Sequence, residues 1–204
     1  MRQLLQTISS AILSMSALNA VPAYANINAA QGYSADDLSI NQICEADEFE
    51  NFFAAFISMG EEQKRFYGRQ VQIESIIIDQ RGNPQMTSNV VAGRDFQYFP
   101  IAMMDNYFVL SDAGRINYAD GLPDTIPSSE GKEPVFVEFD VDQGSNGIWA
   151  VSWTSVEYDG VVGPDDGDSL GTKISSGKHG AGIINFAKSG KCWELTRVNY
   201  ISPE

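Results

Sequence analysis

The amino-acid sequence predicts an α+β fold in which an N-terminal helix pair packs on a curved antiparallel sheet. Three observations predict it: a stripe of phenylalanines at helical spacing near the amino end, strand-type runs from Val71 onward, and turn signals between those runs. Helical elements come first and β elements follow, so the helices are expected on one side of the sheet.

The stripe lies between Cys44 and Met59, where Phe49, Phe52, Phe53, Phe56 and Ile57 recur at i, i+3, i+4, i+7 and i+8. That spacing puts all five on one helical face. Asp47 is placed to cap the helix, Glu48 and Glu50 sit where the positive end of the dipole favours anions, and Gly60 is the expected stop. Burial of each phenylalanine contributes roughly 2–3 kcal/mol, so the stripe demands a large apolar partner surface. Glu61 to Tyr67 reads as a short second helix ending at Gly68.

The β part begins with Val71 to Asp79, whose centre is Ile76-Ile77-Ile78, and Arg81-Gly82-Asn83-Pro84 turns it. Val90 to Met104 reads as a strand kinked at Pro100, at an edge or a bulge. Tyr107 to Leu110 is another short strand, and Ala119 to Pro134, with Pro123, Pro127, Gly121 and Gly131, is a long surface loop. Val135, Val137, Phe139 and Val141 alternate with Phe136, Glu138, Asp140 and Asp142, the pattern of a strand with one wet face. The hairpin turn is Gln143 to Gly147; Trp149, Val151 and Trp153 then share a face, and Asp159 to Gly180 connects to strands at Ala181–Ala187 and Cys192–Ile201.

Residues 1–25 read as an export signal: Arg2 supplies the positive start, Leu4 to Leu18 the small and apolar stretch, and Ala23-Tyr24-Ala25 the small-x-small site. Residues 26–43 then form a flexible leader and 44–204 a single domain, in a periplasmic or secreted protein. No segment has the apolar length of a stable membrane insertion. Cys44 and Cys192 in an exported chain most simply pair as a disulfide across nearly the whole domain, worth about 5 kcal/mol in the chain-entropy model; two unpaired buried thiols are the alternative. A formal charge of −14 repels nucleic acid and anionic lipid and favours cationic partners.

The Phe-Phe-x-x-Phe helix (Phe52, Phe53, Phe56), the following Gln63 helix and the terminal run Gly190 to Val198 together resemble exported bacterial domains of unknown function with the nuclear-transport-factor-two-like, or cystatin-like, cone fold. The resemblance covers about 40 residues at the two ends; the long middle loops depart from it. It implies an α+β cone, in which enzymes of the resembled superfamily often place a His with an Asp.

His179, the single histidine, is therefore the candidate acid or base, against a solvated loop residue. Gly171 to Lys178 imitates a phosphate loop with the wrong spacing and no Ser or Thr after the lysine, and Ser175-x-x-Lys178 lacks the helix its chemistry needs. Asp165, Asp166 and Asp168, with Asp159, offer hard oxygen ligands for Ca²⁺, and Asp140, Asp142 and Asn146 form a second acidic group; neither has a Ca²⁺-loop register, so solvated turns are expected. Phe53, Phe56, Trp149 and Trp153 are candidates to line a ligand pocket, against plain core packing. Glu138 with Asp140 or Glu157 lacks any reason for the raised pKa that glycoside chemistry requires. No cofactor pattern is found. The expectation is a non-catalytic exported domain binding a small apolar ligand or a basic protein partner, as inhibitors and immunity proteins do. The alternatives are an enzyme of the same fold using Asp or Tyr with His179, and a structural envelope protein.

Overall fold

Ile40, Ile43 and Cys44 recur at helical spacing and form the buried side of a short helix, α1 (Ile40–Ala46). The leader expected to reach residue 43 therefore already belongs to the folded domain by Ile40, because these apolar groups have a core to enter. Asp47 then takes a left-handed conformation, φ 59°, and breaks the chain before α2 (Phe49–Ser58). Asp47 does not cap α2 as expected; Glu48 is the first flanking residue, and the Asp47 carboxylate pairs with Lys188 instead. The computed structural model describes residues 40–78, 84–104, 107–116, 118, 122–159 and 173–202. The expected signal and most of the expected leader lie outside the described residues.

The second helix is a 3-10 helix, Gly60–Phe66, and Tyr67 and Gly68 already belong to the first strand, β1 (Tyr67–Ile78). β2 (Pro84–Ala92) ends in a 3-10 turn at Gly93–Asp95, so the single strand expected from Val90 to Met104 is two elements with an extended run between them. The second is β3 (Ile101–Met104), followed by β4 (Tyr107–Leu110), β5 (Phe136–Gln143), β6 (Ile148–Tyr158), β7 (Lys173–Ser189) and β8 (Cys192–Ile201). Residues 122–134 carry no strand or helix, in keeping with the long loop expected there.

These strands form one curled sheet in the order β2-β1-β8-β7-β6-β5-β4-β3, with α1 and α2 on its concave side: an α+β half-barrel. Every neighbouring pair is antiparallel except β1 and β8, whose parallel pairing makes the sheet mixed. β8 reaches β1 directly, so the last strand sits in the middle of the sheet and closes the fold.

The stripe on α2 fills the concavity. Phe49 stacks on Trp149 of β6 at 4.7 Å and meets Trp193 of β8 edge-on at 5.4 Å. Phe53 meets Phe139 of β5 and Phe56 meets Phe99, both edge-on at 5.1 Å. Phe186 of β7 touches all four phenylalanines of the stripe, so one helix face reaches four strands. Edge-on ring pairs add about 0.5–1.5 kcal/mol each beyond the area they bury. Cys44 and Cys192 are paired as a disulfide between α1 and β8, with Cα atoms 4.6 Å apart and 148 positions between them in sequence. Lys191 to Glu45 (2.8 Å) and Lys188 to Asp47 flank it.

At the far end of the concavity three phenols fasten the irregular chain to the sheet. Tyr98 donates to the Pro123 carbonyl at 3.0 Å, Tyr118 to the Ala113 carbonyl at 2.8 Å, and Tyr200 of β8 to the Tyr98 carbonyl. The Tyr118 and Tyr200 rings lie 4.1 Å apart, and burial pushes both phenol pKa values up. Gly182 of β7 is required for this packing: a Cβ there would sit 2.0 Å from the Asn199 carbonyl and 2.8 Å from Trp153 Nε1. The outer face of β5 is not uniformly wet as expected, because Phe136 packs with Val109 and Val156 in a small second cluster.

Candidate functional site

Alternation along β6 directs Trp149, Val151, Trp153, Ser155 and Glu157 to the concave face. Trp153 and Ser155 are buried, whereas the Glu157 side chain is 27% exposed, so this position is where the row leaves the core. The neighbouring β7 is irregular at the same level. Trp153 and Thr154 pair with Gly182 and Ala181, but Val156 and Glu157 pair with Ser176 and Ser175, which leaves residues 177–180 unmatched by β6. Gly177 (φ 77°) and Gly180 (φ 110°) bracket this bulge in backbone conformations that side chains disfavour.

The bulge turns Lys178 and His179 onto Glu157. Lys178 Nζ lies 2.8 and 3.1 Å from the two carboxylate oxygens, His179 Nε2 lies 2.9 Å from Oε1, and the Ser175 hydroxyl donates to Oε2 at 2.8 Å. The His179 backbone N–H donates to Ser155 Oγ at 2.9 Å, which accounts for a buried hydroxyl on an otherwise apolar row. Hydrogen bonds from Lys178 first, then from His179 and Ser175, hold the Glu157 pKa at about 2. Such a carboxylate is an acceptor already in use. It can orient the imidazole and favour a proton on Nε2, but it is a poor base toward any substrate.

His179 is thus part of β7 rather than of a loop ahead of a strand, and it is brought together with Ser175, Lys178 and Glu157, a grouping that sequence spacing did not reveal. Two signals were available: Glu157 continues the inward series of β6, and glycines three apart mark a bulge. The four aromatic pocket candidates are placed in the core. Phe53 and Phe56 are fully buried, Trp153 is buried, and Trp149 is stacked on Phe49. Asp165, Asp166 and Asp168 lie outside the described residues. Among the described residues no group of three or more His, Cys, Asp or Glu is arranged to hold a metal ion. No helix among them is long and apolar enough to cross a membrane.

Glu138 and Glu157 cannot act as a pair, because they project from opposite faces: Glu138 lies across from Thr154, one register position off the inward row. Glu138 is instead held by Lys173 at 2.6 Å and by the Tyr158 hydroxyl at 3.0 Å. It begins an outward acidic row on β5 that continues with Asp140 and Asp142, both exposed. Opposite them on β6 stand only the small residues Thr154, Ser152 and Ala150. On the other side β4 pairs with β5 at Val109–Phe136 alone, so among the described residues the rest of β5 has no strand beside it. Asp140 and Asp142 have no ion-pair partner among the described residues.

A further open depression is lined by Cys44, Glu45, Asp47, Lys188 and Lys191, whose charges are paired with one another. In comparisons with known proteins, no family model matches this chain and no curated protein matches it.

Proposed function

We propose that the chain is a non-catalytic binding domain of an exported, periplasmic or secreted protein, and that its partner is a basic protein docking on the outer face of the sheet along β5. The observation that carries this reading is the row Glu138, Asp140, Asp142 on a strand that, among the described residues, has no neighbouring strand on its far side over most of its length. Successive carboxylates on one strand face are about 7 Å apart, a spacing that alternate Lys or Arg side chains of an extended segment match. Lys173, docked on Glu138, occupies the place that such a cation would take. The aromatic filling of the concavity supports a surface-acting protein over a carrier of a small apolar ligand, and the disulfide fits an oxidising compartment.

The test is equilibrium binding to cationic proteins, cell-wall hydrolases among them, with neutral proteins as controls. Binding is expected to fall as salt rises, and by roughly tenfold or more when Asp140→Lys and Asp142→Lys are combined. Silence across the cationic panel, or binding indifferent to the double substitution, rejects the reading.

One observation favours a second reading, an enzyme using His179: the imidazole is held by a carboxylate at the rim of the concavity. Any turnover found should then vanish in His179→Ala, whereas a binder keeps its affinity in that variant.

A further inference from the structure

The two ends of the sheet order are unequal. β3 has four residues, while β2 has nine, Pro-Gln-Met-Thr-Ser-Asn-Val-Val-Ala, without a single charge. Among the described residues β2 pairs with β1 on one side only, so its other edge presents alternate backbone N–H and C=O groups that no strand among them takes up. Edge strands of this length are ordinarily blunted by charges, by proline, by bulges or by a covering element, and of these residue types β2 carries only Pro84, at its first position. Here Met86 is 66% and Val90 59% exposed.

We propose that β2 is a dimerisation edge that pairs antiparallel with β2 of a second copy of this chain, joining two sheets into one. The pattern of the strand is its own complement. The midpoint of Pro84–Ala92 is Ser88, so full-length pairing about a two-fold axis sets Ser88 against Ser88 of the other copy and Met86 against its Val90. Met86, Ser88 and Val90 share the outer face, since they pair with Ile76, Glu74 and Gln72 of β1. Two exposed apolar side chains on each copy are thereby covered by their counterparts. Charge selects the same occupant: for a chain carrying −14, an uncharged edge is where two copies meet without opposing carboxylates, and a basic partner finds no anion on this strand. The inference is independent of the binding role proposed for β5.

Sedimentation equilibrium on the folded, disulfide-intact protein tests it. A dimer is expected that tightens as salt screens the net charge, and Ser88→Lys, which opposes two ammonium groups on the axis, is expected to abolish it with the far-UV spectrum unchanged. Ser88→Cys should give a covalent dimer on a non-reducing gel, while Ile174→Cys, exposed on β7, should not. The Cys variants decide the matter if Ser88→Lys fails to fold. A wild-type monomer at millimolar concentration, a dimer that survives Ser88→Lys, or no preference of the cross-link for position 88 overturns the proposal.

Discussion

The concave and outer faces of this sheet use the same strands for opposite ends. On β6, Trp149, Val151 and Trp153 point inward, where Trp149 meets Phe49 of α2 and Trp153 meets Tyr200 of β8; Ala150, Ser152 and Thr154, one residue away, point outward beside a row of carboxylates. Inward residues are packed so fully that the concavity holds its own side chains. Outward, Ala150, Ser152 and Thr154 of β6 are small and Glu138, Asp140 and Asp142 of β5 are charged. A half-barrel can hold a ligand on its concave side or spend that side on stability, and here the phenylalanine helix has taken it. The binding role proposed above therefore falls to the outer face and the dimer proposed above to a strand edge.

The comparison can be broken most severely at the link that holds the helices in place. Cys44→Ser with Cys192→Ser should cost about 5 kcal/mol, since the closed loop spans 148 positions, and urea unfolding of the variant against the oxidised protein measures it. A loss under about 1 kcal/mol would mean that the aromatic packing alone fixes the helices. Next comes the packing itself: Phe52→Ala, at a fully buried ring touching Phe66, Phe186 and Trp193, should cost about 4 kcal/mol. Asp142→Ala on the outer face should change stability by less than about 0.5 kcal/mol, and similar losses in the two variants would erase the distinction between the faces.

The smallest effect is expected from pH at the rim. Glu157 has a folded pKa of about 2 against an ordinary 4.5, so its contribution is fully present above about pH 4.5 and is lost as pH falls toward 2. Exposure keeps that contribution modest. Glu157→Gln should flatten the acid limb of a stability–pH curve and leave its neutral part nearly unchanged; an identical acid limb in both proteins would show that the three donors do not act on the carboxylate.

Much of the interior was readable because it rests on short-range periodicity. Phe49, Phe52, Phe53, Phe56 and Ile57 are all buried, as their helical spacing required, and the two cysteines expected to pair are joined as a disulfide. Element limits were less readable. Asp47 looked like a cap because its position suited one, yet a lysine 141 positions away takes its carboxylate and the backbone turns left-handed. The run around Pro100 looked continuous because both halves are β-type, and only contacts with the sheet divide it into β2 and β3.

The rim cluster was hidden for a related reason. Ser175, Lys178 and His179 are ordinary in sequence and gain a role only when a bulge on β7 faces Glu157 on β6, about twenty positions earlier in the chain.

By itself, then, the sequence determined the α+β class, the aromatic face that must be buried, the presence of just two cysteines and the acidity of the chain. Each depends on residue type and local spacing, which any stretch of chain carries with it. Tertiary structure decided that β8 runs parallel to β1 within the sheet, that the concavity closes on its own rings, that Glu157 gathers three donors, and that among the described residues β2 and most of β5 have a strand on one side only. Those outcomes rest on which distant strands become neighbours and in what register, and a single step of register moves a side chain from the core to the water.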